Sequence, residues 1–191
     1  MTIEPDVGDG FVLSHDDDPS WPQRPVSLRY MTAKEREEEF GSFTYKANPD
    51  GSLVITGRKN FVIKGCEIPQ LKTLGFSRVN VNERASDRLV SVFQLWDDLG
   101  LMSHVLSWDG LYVPRFVRGS TVYVSNHAWG TAFDINARWN PLGRVGPLAG
   151  QKGSTRMLIE SAAQCGWISG AWFDRPDYMH FEIGKEIIKE D

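Results

Sequence analysis

Two short stretches of sequence decide the fold, Ala132-Phe133-Asp134-Ile135-Asn136 and Met179-His180-Phe181-Glu182-Ile183. Successive side chains of a β-strand point to opposite faces of the sheet. In the first stretch the two apolar residues therefore share one face, and Asp134 lies on the other face with Asn136. In the second stretch the three apolar residues form one face, which leaves His180 and Glu182 opposite. Both stretches predict strands with one core face and one polar face.

A further imidazole comes from the segment before the first strand. His127 precedes Asp134 in the chain, and the residues between them include small ones that leave room beside the backbone. Two imidazoles, from His127 and His180, and the Asp134 carboxylate would leave a fourth position for water, which is the ligand set of an open catalytic zinc site. Four protein ligands would instead indicate a structural site.

Acid–base chemistry has its own candidates beside these ligands. Asp177 follows Pro176 in a turn just before His180. A carboxylate there is able to stay near a metal without binding it, take a proton from zinc-bound water and return it to a leaving amine. Arg115 and Arg118 each offer a guanidinium to a carbonyl oxygen that gains negative charge, and the residues alone do not choose between them.

Composition excludes several classes of protein. The chain has 191 residues, of which 41% are hydrophobic and 24% charged, within the ordinary range of globular proteins. Its net charge of −4 argues against a nucleic-acid partner or an anionic membrane surface. No apolar run is long enough to span a bilayer, so we expect no membrane span. The stretch 1–10 is acidic and lacks the features of a secretory signal, so none is expected.

The domain organisation follows from local composition. Residues 1–30 are rich in Asp and Pro and predict an extended polar arm, and residues 31–191 predict a single domain. Two amphipathic helices are predicted, from Ser86 to Gly100 and from Ser154 to Gly166, the second with Met157 and Cys165 among its apolar residues.

Shorter elements complete the predicted α+β class. The pattern Thr32-Ala33-Lys34-Glu35 indicates a capping box for a helix that closes at Gly41. The turn Asn48-Pro49-Asp50-Gly51 predicts a hairpin, and Phe61-Val62-Ile63 predicts a strand. Helices and strands without βαβ alternation favour α+β over α/β.

The two cysteines and the other two histidines form no recognised catalytic or metal-binding pattern. Cys66 and Cys165 form no CxxC pair and are interpreted as buried free thiols, although a disulfide between them stays open. His15 and His104 are interpreted as ordinary core or surface residues. The sequence contains no HExxH, GxSxG, GxxxxGK[ST] or strand-following GxGxxG pattern.

The paired motif Ser125-x-His127-x-x-Gly130-x-Ala132-x-Asp134 and Asp177-x-x-His180-Phe181-Glu182 resembles a known family. It is similar to the zinc D-alanyl-D-alanine carboxypeptidases and L-alanyl-D-glutamate endopeptidases, peptidoglycan-cleaving metallopeptidases that share a fold with the hedgehog signalling domain. The resemblance covers roughly residues 108–184, and residues 26–107 are compatible with a phage or bacterial subgroup. The sequence departs from the family pattern at Trp167-Ile168-Ser169-Gly170-Ala171-Trp172, where an aromatic-Gly-Gly stretch is expected.

The resemblance implies a fold and a metal site. It implies a hedgehog/DD-peptidase-like α+β fold, with an antiparallel sheet that carries the zinc site and helices packed on one side. It implies that Zn2+ is held by His127, Asp134 and His180, and that Asp177 is the general base.

It also implies roles in substrate binding and catalysis. We expect Arg118 to polarise the scissile carbonyl, with Arg115 as the competing candidate, and Ser125 to help hold the substrate. The expected reaction is hydrolysis of a peptide bond in peptidoglycan stem peptides, of carboxypeptidase or endopeptidase type, by a monomer. The expected place of action is the cell wall, reached as a phage endolysin through a holin or by a secretion apparatus.

Two functions from other classes stay open. One is a zinc-bearing binding module that has lost catalysis, which the intact Asp177 argues against. The other is a phage structural component that keeps the site as part of its fold.

Overall fold

The computed structural model describes residues 22–187, which form three α-helices and nine strands in antiparallel sheets. The strands are β1 (Leu28–Tyr30), β2 (Ser42–Ala47), β3 (Leu53–Lys59), β4 (Ile63–Glu67), β5 (Arg78–Asn82), β6 (Trp108–Gly110), β7 (Ala132–Ile135), β8 (Trp167–Gly170) and β9 (Asp177–Glu186). The helices are α1 (Ala33–Phe40), α2 (Ser86–Asp98) and α3 (Arg156–Gln164). Short 3-10 helices lie at Pro69–Leu74, Glu83–Ala85, Leu101–His104 and Asn126–Trp129.

The central sheet is organised around β9. Its strand order is β1-β9-β7-β6, with β8 also paired to β9, and every pairing is antiparallel. The register of β7 against β9 sets Asp134 directly opposite His180. The predicted α+β class and the antiparallel sheet are therefore confirmed, and two of the predicted ligands face each other on neighbouring strands.

The two longer helices cover the apolar face of this sheet. Phe133 and Phe181 stack with ring centroids 5.3 Å apart, and Trp96 of α2 meets both rings edge-on. The Trp96 indole N–H donates a 3.0 Å hydrogen bond to Ser161 Oγ in α3. Because aromatic side chains bury large apolar areas, this layer is a major contribution to folding. Its position leaves the opposite face of the sheet to Asp134 and His180.

Several local predictions are confirmed. Thr32 Oγ1 accepts from the Glu35 amide at 3.2 Å, and the Glu35 carboxylate accepts from the Thr32 amide at 2.9 Å, which is a complete capping box. Helix α1 ends before Gly41. The predicted hairpin is formed by β2 and β3, and the predicted helix from Ser86 to Gly100 is α2, with Gly100 in the left-handed conformation after its end.

Two strand predictions need correction. The strand expected at Phe61 begins only at Ile63, because Asn60 has a φ of 52° and the Phe61 ring turns into the core, 4.9 Å from that of Phe43. Asn136 was expected to continue the polar face of β7. It instead leaves the strand with a φ of 56°, and its amide bonds the backbone of neighbouring loops. Asn adopts this left-handed conformation more readily than most residues.

Helix α3 and the cysteines also differ from expectation. The helix is shorter than predicted, and Met157 is 47% exposed instead of packing in the core. Cys66 and Cys165 are free thiols, as predicted, but both are only half-buried.

The predicted arm, residues 1–30, lies largely outside the described residues. Its last three residues form β1, which pairs with the end of β9. Just before it, the Pro22 carbonyl accepts a 3.0 Å hydrogen bond from the Trp172 indole. Between residues 22 and 187, none of the helices has the length and apolar character needed to cross a membrane.

Candidate metal centre and its cleft

His127 is positioned by a short 3-10 helix, Asn126–Trp129. Ser125 caps its start, with its hydroxyl accepting from the His127 amide at 3.4 Å. Gly130 ends it with a φ of 66°. A Cβ at Gly130 would lie 2.8 Å from the Asn82 amide nitrogen, so both the backbone conformation and the space require glycine. The glycine of the motif thus lets the 3-10 helix that carries His127 end against β5.

The three predicted metal ligands meet at one point. Asp134 Oδ1 lies 3.0 Å from His180 Nδ1 and 3.2 Å from His127 Nε2, and the two ring nitrogens are 3.2 Å apart. All three residues are buried. Tetrahedral zinc, with bonds of about 2.0–2.1 Å, places its donor atoms about 3.3 Å from one another. This donor set therefore fits a zinc-sized divalent cation.

Each imidazole has an acceptor at its outer nitrogen. His127 Nδ1 donates to the Leu111 carbonyl at 2.8 Å, and His180 Nε2 donates to the Glu182 carboxylate at 3.0 Å. These hydrogen bonds leave His127 Nε2 and His180 Nδ1 to face Asp134. Such outer partners are typical of histidines that bind metals, because they fix the ring and its tautomer.

The electrostatics of the cluster favour a bound cation. Burial raises the pKa of Asp134, but hydrogen bonds from His127 and His180 outweigh burial and hold the pKa well below its usual range. Burial lowers the pKa of His180, but hydrogen bonds to Asp134 and Glu182 outweigh it and raise the pKa to about 10. Without metal, the His180 imidazole therefore keeps a second proton between the Asp134 and Glu182 carboxylates. A metal ion bound there would supply the positive charge instead.

Asp177 lies at the start of β9, in the same cleft as His127 and His180. Burial is the main cause that raises its pKa, and the Asp134 charge adds to this, although His180 and Arg118 act in the opposite direction. Its Oδ1 is buried and accepts no hydrogen bond within residues 22–187. A carboxylate with a raised pKa and an uncommitted oxygen is suited to accept a proton from a reacting group.

The backbone of β8 controls where Asp177 sits. Gly170 pairs with Asp177, and a Cβ at Gly170 would lie 2.7 Å from the Asp177 carbonyl oxygen and 3.1 Å from its Cβ. It would also lie 3.0 Å from the Phe173 ring, which lines the cleft. Gly170 therefore allows β8 and β9 to approach closely at Asp177, and this places the Asp177 carboxylate in the cleft.

The cleft has a volume of about 280 Å3 and three arginines on its walls, Arg115, Arg118 and Arg175. Arg115 is half-buried, and Nη1 donates to the Phe116 carbonyl at 3.2 Å. Burial lowers the pKa of Arg115, and its charge interacts with those of Asp134 and Asp177. Arg118 is exposed. The walls are thus suited to a substrate that carries carbonyl or carboxylate oxygens.

The structure brings the predicted site residues into one place. His127, Asp134 and His180 are in mutual contact, and Asp177 and Ser125 lie in the adjoining cleft with the arginines. His104, interpreted as an ordinary residue, does not line this cleft.

Three residues of the site received no role from the sequence. Strand alternation placed Glu182 on the polar face without suggesting that it would bond His180. Nothing in the sequence marked Asn126 or Arg175 except that each lies close to a motif residue. In the structure Asn126 donates to Glu182, and Arg175 lines the cleft.

Comparison with known proteins agrees with the motifs. Residues 118–183 match the family model described as D-alanyl-D-alanine carboxypeptidase, and this segment contains all three ligand candidates and Asp177. The match confirms the resemblance drawn from the paired motifs. Searches of curated proteins and of solved structures gave no match.

Proposed function

We propose, from the match of residues 118–183 to the D-alanyl-D-alanine carboxypeptidase family model, that the chain is a zinc-dependent peptidase that hydrolyses a peptide bond in bacterial peptidoglycan stem peptides. The observation that carries the proposal is the convergence of His127, Asp134 and His180 beside the uncommitted Asp177 carboxylate, all within the matched segment. His127 Nε2, Asp134 Oδ1 and His180 Nδ1 would hold the ion. When bound, zinc supplies a Lewis acid that activates water and polarises a carbonyl.

Asp177 is the general base in this proposal. Its Oδ1 takes the proton from the attacking water and later gives it to the leaving amine, and its raised pKa brings the carboxylate closer to the range in which both transfers are efficient. The side chain is half-buried and borders the cleft beside the metal ligands.

Arg118 is the proposed group that stabilises the oxyanion. Its guanidinium lies on the cleft wall, where positive charge favours the negative oxygen that develops as water attacks. Arg115 lines the same wall and is the competing candidate. The Ser125 hydroxyl caps the 3-10 helix, and the residue also borders the cleft. The same hydroxyl would make the proposed contact with the substrate.

The wider assignments belong to the same proposal. Residues 31–191 would form a monomeric catalytic domain of the hedgehog/DD-peptidase type behind a polar arm. It would act at the cell wall as an endolysin or a delivered protein. Both carboxypeptidase and endopeptidase cleavage are consistent with a cleft that contains three arginines.

The proposal is tested by mass spectrometry of purified muropeptides after incubation with the zinc-loaded chain. We expect new fragments that differ from the substrate by hydrolysis of one peptide bond, and the masses identify that bond. A chelator should prevent their formation, and added zinc should restore it. Zinc binding without any new fragment would contradict the proposal and favour a non-catalytic binding module or a phage structural component.

Zinc affinity should depend on pH. His180, with a pKa raised to about 10, holds a proton below that pH, and the proton must leave before Nδ1 binds zinc. Asp134 stays ionised and adds no such dependence. We therefore expect the apparent affinity to fall roughly tenfold for each pH unit on going from pH 8 to pH 6. Competition titrations with a zinc-binding dye measure this, and an affinity that is flat across the range would contradict the assigned role of His180.

Gly170→Ala should impair turnover and spare the metal. The new methyl group would collide with the Asp177 backbone and displace the carboxylate. Misplacing a catalytic group by about 1 Å can reduce the rate roughly 100-fold. Gly184→Ala on β9 is the control, because its methyl group would lie 3.3 Å or more from its neighbours. Equal turnover by the two variants would show that β8 does not position Asp177.

A further inference from the structure

Glu182 is an unusual residue to bury beside the centre. It lies two residues after His180 on the same face of β9, and only 5% of its surface is exposed. A buried carboxylate is costly unless it is paired and hydrogen-bonded. Its contacts therefore indicate what it does there.

Three groups compensate the Glu182 carboxylate. His180 Nε2 and Asn126 Nδ2 both donate to Oε2, and the Arg36 guanidinium contributes an attractive charge from α1. Arg36 is itself buried, with its guanidinium over the Trp129 ring and a hydrogen bond to the Met31 carbonyl. Both hydrogen bonds end on Oε2, so this oxygen is held between Asn126 and His180.

These contacts link the two motifs. Asn126 is the residue immediately before His127, and its carbonyl accepts from the Thr131 hydroxyl at 3.2 Å. Glu182 therefore connects the 3-10 helix that carries one ligand to the imidazole of another. An ionised carboxylate only accepts hydrogen bonds, so His180 Nε2 must be the donor, and the Nδ1 lone pair is left for the metal.

We infer that Glu182 is a positioning residue, held by Asn126, that fixes the His180 ring and its tautomer for metal binding. This inference rests on the proposed zinc site. The Leu111 carbonyl occupies the equivalent position for His127, but it is neutral. A charged acceptor makes the imidazole a stronger donor to the metal, and removing such an outer partner typically lowers metal affinity 10–100-fold.

Zinc affinity, measured without substrate, tests the inference. Glu182→Gln should lower the affinity 10–100-fold, because its amide keeps the size of the side chain and loses the charge. Glu186→Gln removes the same charge from an exposed position on the same strand, and it should bind zinc as the wild type does. Asn126→Ala leaves the Glu182 charge in place and should lower the affinity several-fold.

A second readout separates positioning from general support of the fold. The visible spectrum of the cobalt-loaded protein should change in Glu182→Gln at saturating metal, because the ligand field of His180 changes. It should be unchanged in Glu186→Gln. Wild-type zinc affinity and a wild-type spectrum in Glu182→Gln would overturn the inference but leave the proposed zinc site in place. If Glu182→Gln fails to fold, unchanged zinc affinity in Asn126→Ala would overturn it in the same way. A wild-type chain that binds no zinc would overturn the proposed centre as well.

Discussion

Replacing Asp177 by Ala is expected to abolish measurable hydrolysis while zinc stays bound. The three ligand atoms belong to other residues, and no hydrogen bond within residues 22–187 ends on the Asp177 Oδ1, so the metal centre should survive the change. Loss of a general base typically reduces the rate by 10²–10⁴-fold. Turnover of muropeptides, followed by mass spectrometry, and zinc content, measured by elemental analysis, together check the result.

The isosteric change Asp177→Asn makes this test sharper. The amide fills the same space but cannot accept the proton, so it should lower turnover as severely as Ala does. Asp174→Asn is the matched control, since Asp174 is an exposed carboxylate in the same turn. Retained turnover in both Asp177 variants would remove this residue from the role of base.

Replacing His180 by Ala should remove zinc and turnover together. The change deletes one of three ligands, so the affinity should fall by more than the 10–100-fold that follows loss of an outer partner. It also leaves Asp134 and Glu182 buried without the imidazole that now lies between them. Removing one partner of a buried ion pair costs about 3–5 kcal/mol, so the metal-free variant should also unfold more easily.

Two control variants distinguish loss of a metal ligand from a general loss of folding. His127→Ala removes a ligand whose outer partner is a neutral carbonyl, and it should lose zinc with a smaller loss of stability. His104→Ala, outside the cleft, should keep both zinc and turnover. A His180→Ala protein that folds and binds zinc like the wild type would disprove the assigned ligand set.

The sequence predicted the parts of the site that depend on local pattern. Strand alternation placed Asp134 and His180 on polar faces, and the motif spacing added His127 and Asp177. These signals suffice because a strand with one apolar face has only one way to face the core. The α+β class followed in the same way from the order of helices and hairpins.

Other features depend on contacts between distant segments. The hydrogen bond from Asn126 to Glu182 exists only after β9 packs beside the 3-10 helix, and no periodicity reveals it. The turn at Asn136 was missed because its amide bonds loops that are distant in sequence, which outweighs the tendency of the strand to continue. Gly170 lies in the stretch that departs from the expected aromatic-Gly-Gly pattern, and its contact with Asp177 supplies the physical reason for a glycine there.

X-ray absorption spectroscopy of the zinc-loaded chain tests the metal centre most directly. We predict one zinc per chain, bound by two imidazole nitrogens and carboxylate or water oxygens at about 2.0–2.2 Å, with no sulfur ligand. His180→Ala should lose this signal. Sulfur at about 2.3 Å, which would implicate Cys66 or Cys165, or a chain that binds no stoichiometric zinc, would contradict the assigned metal centre.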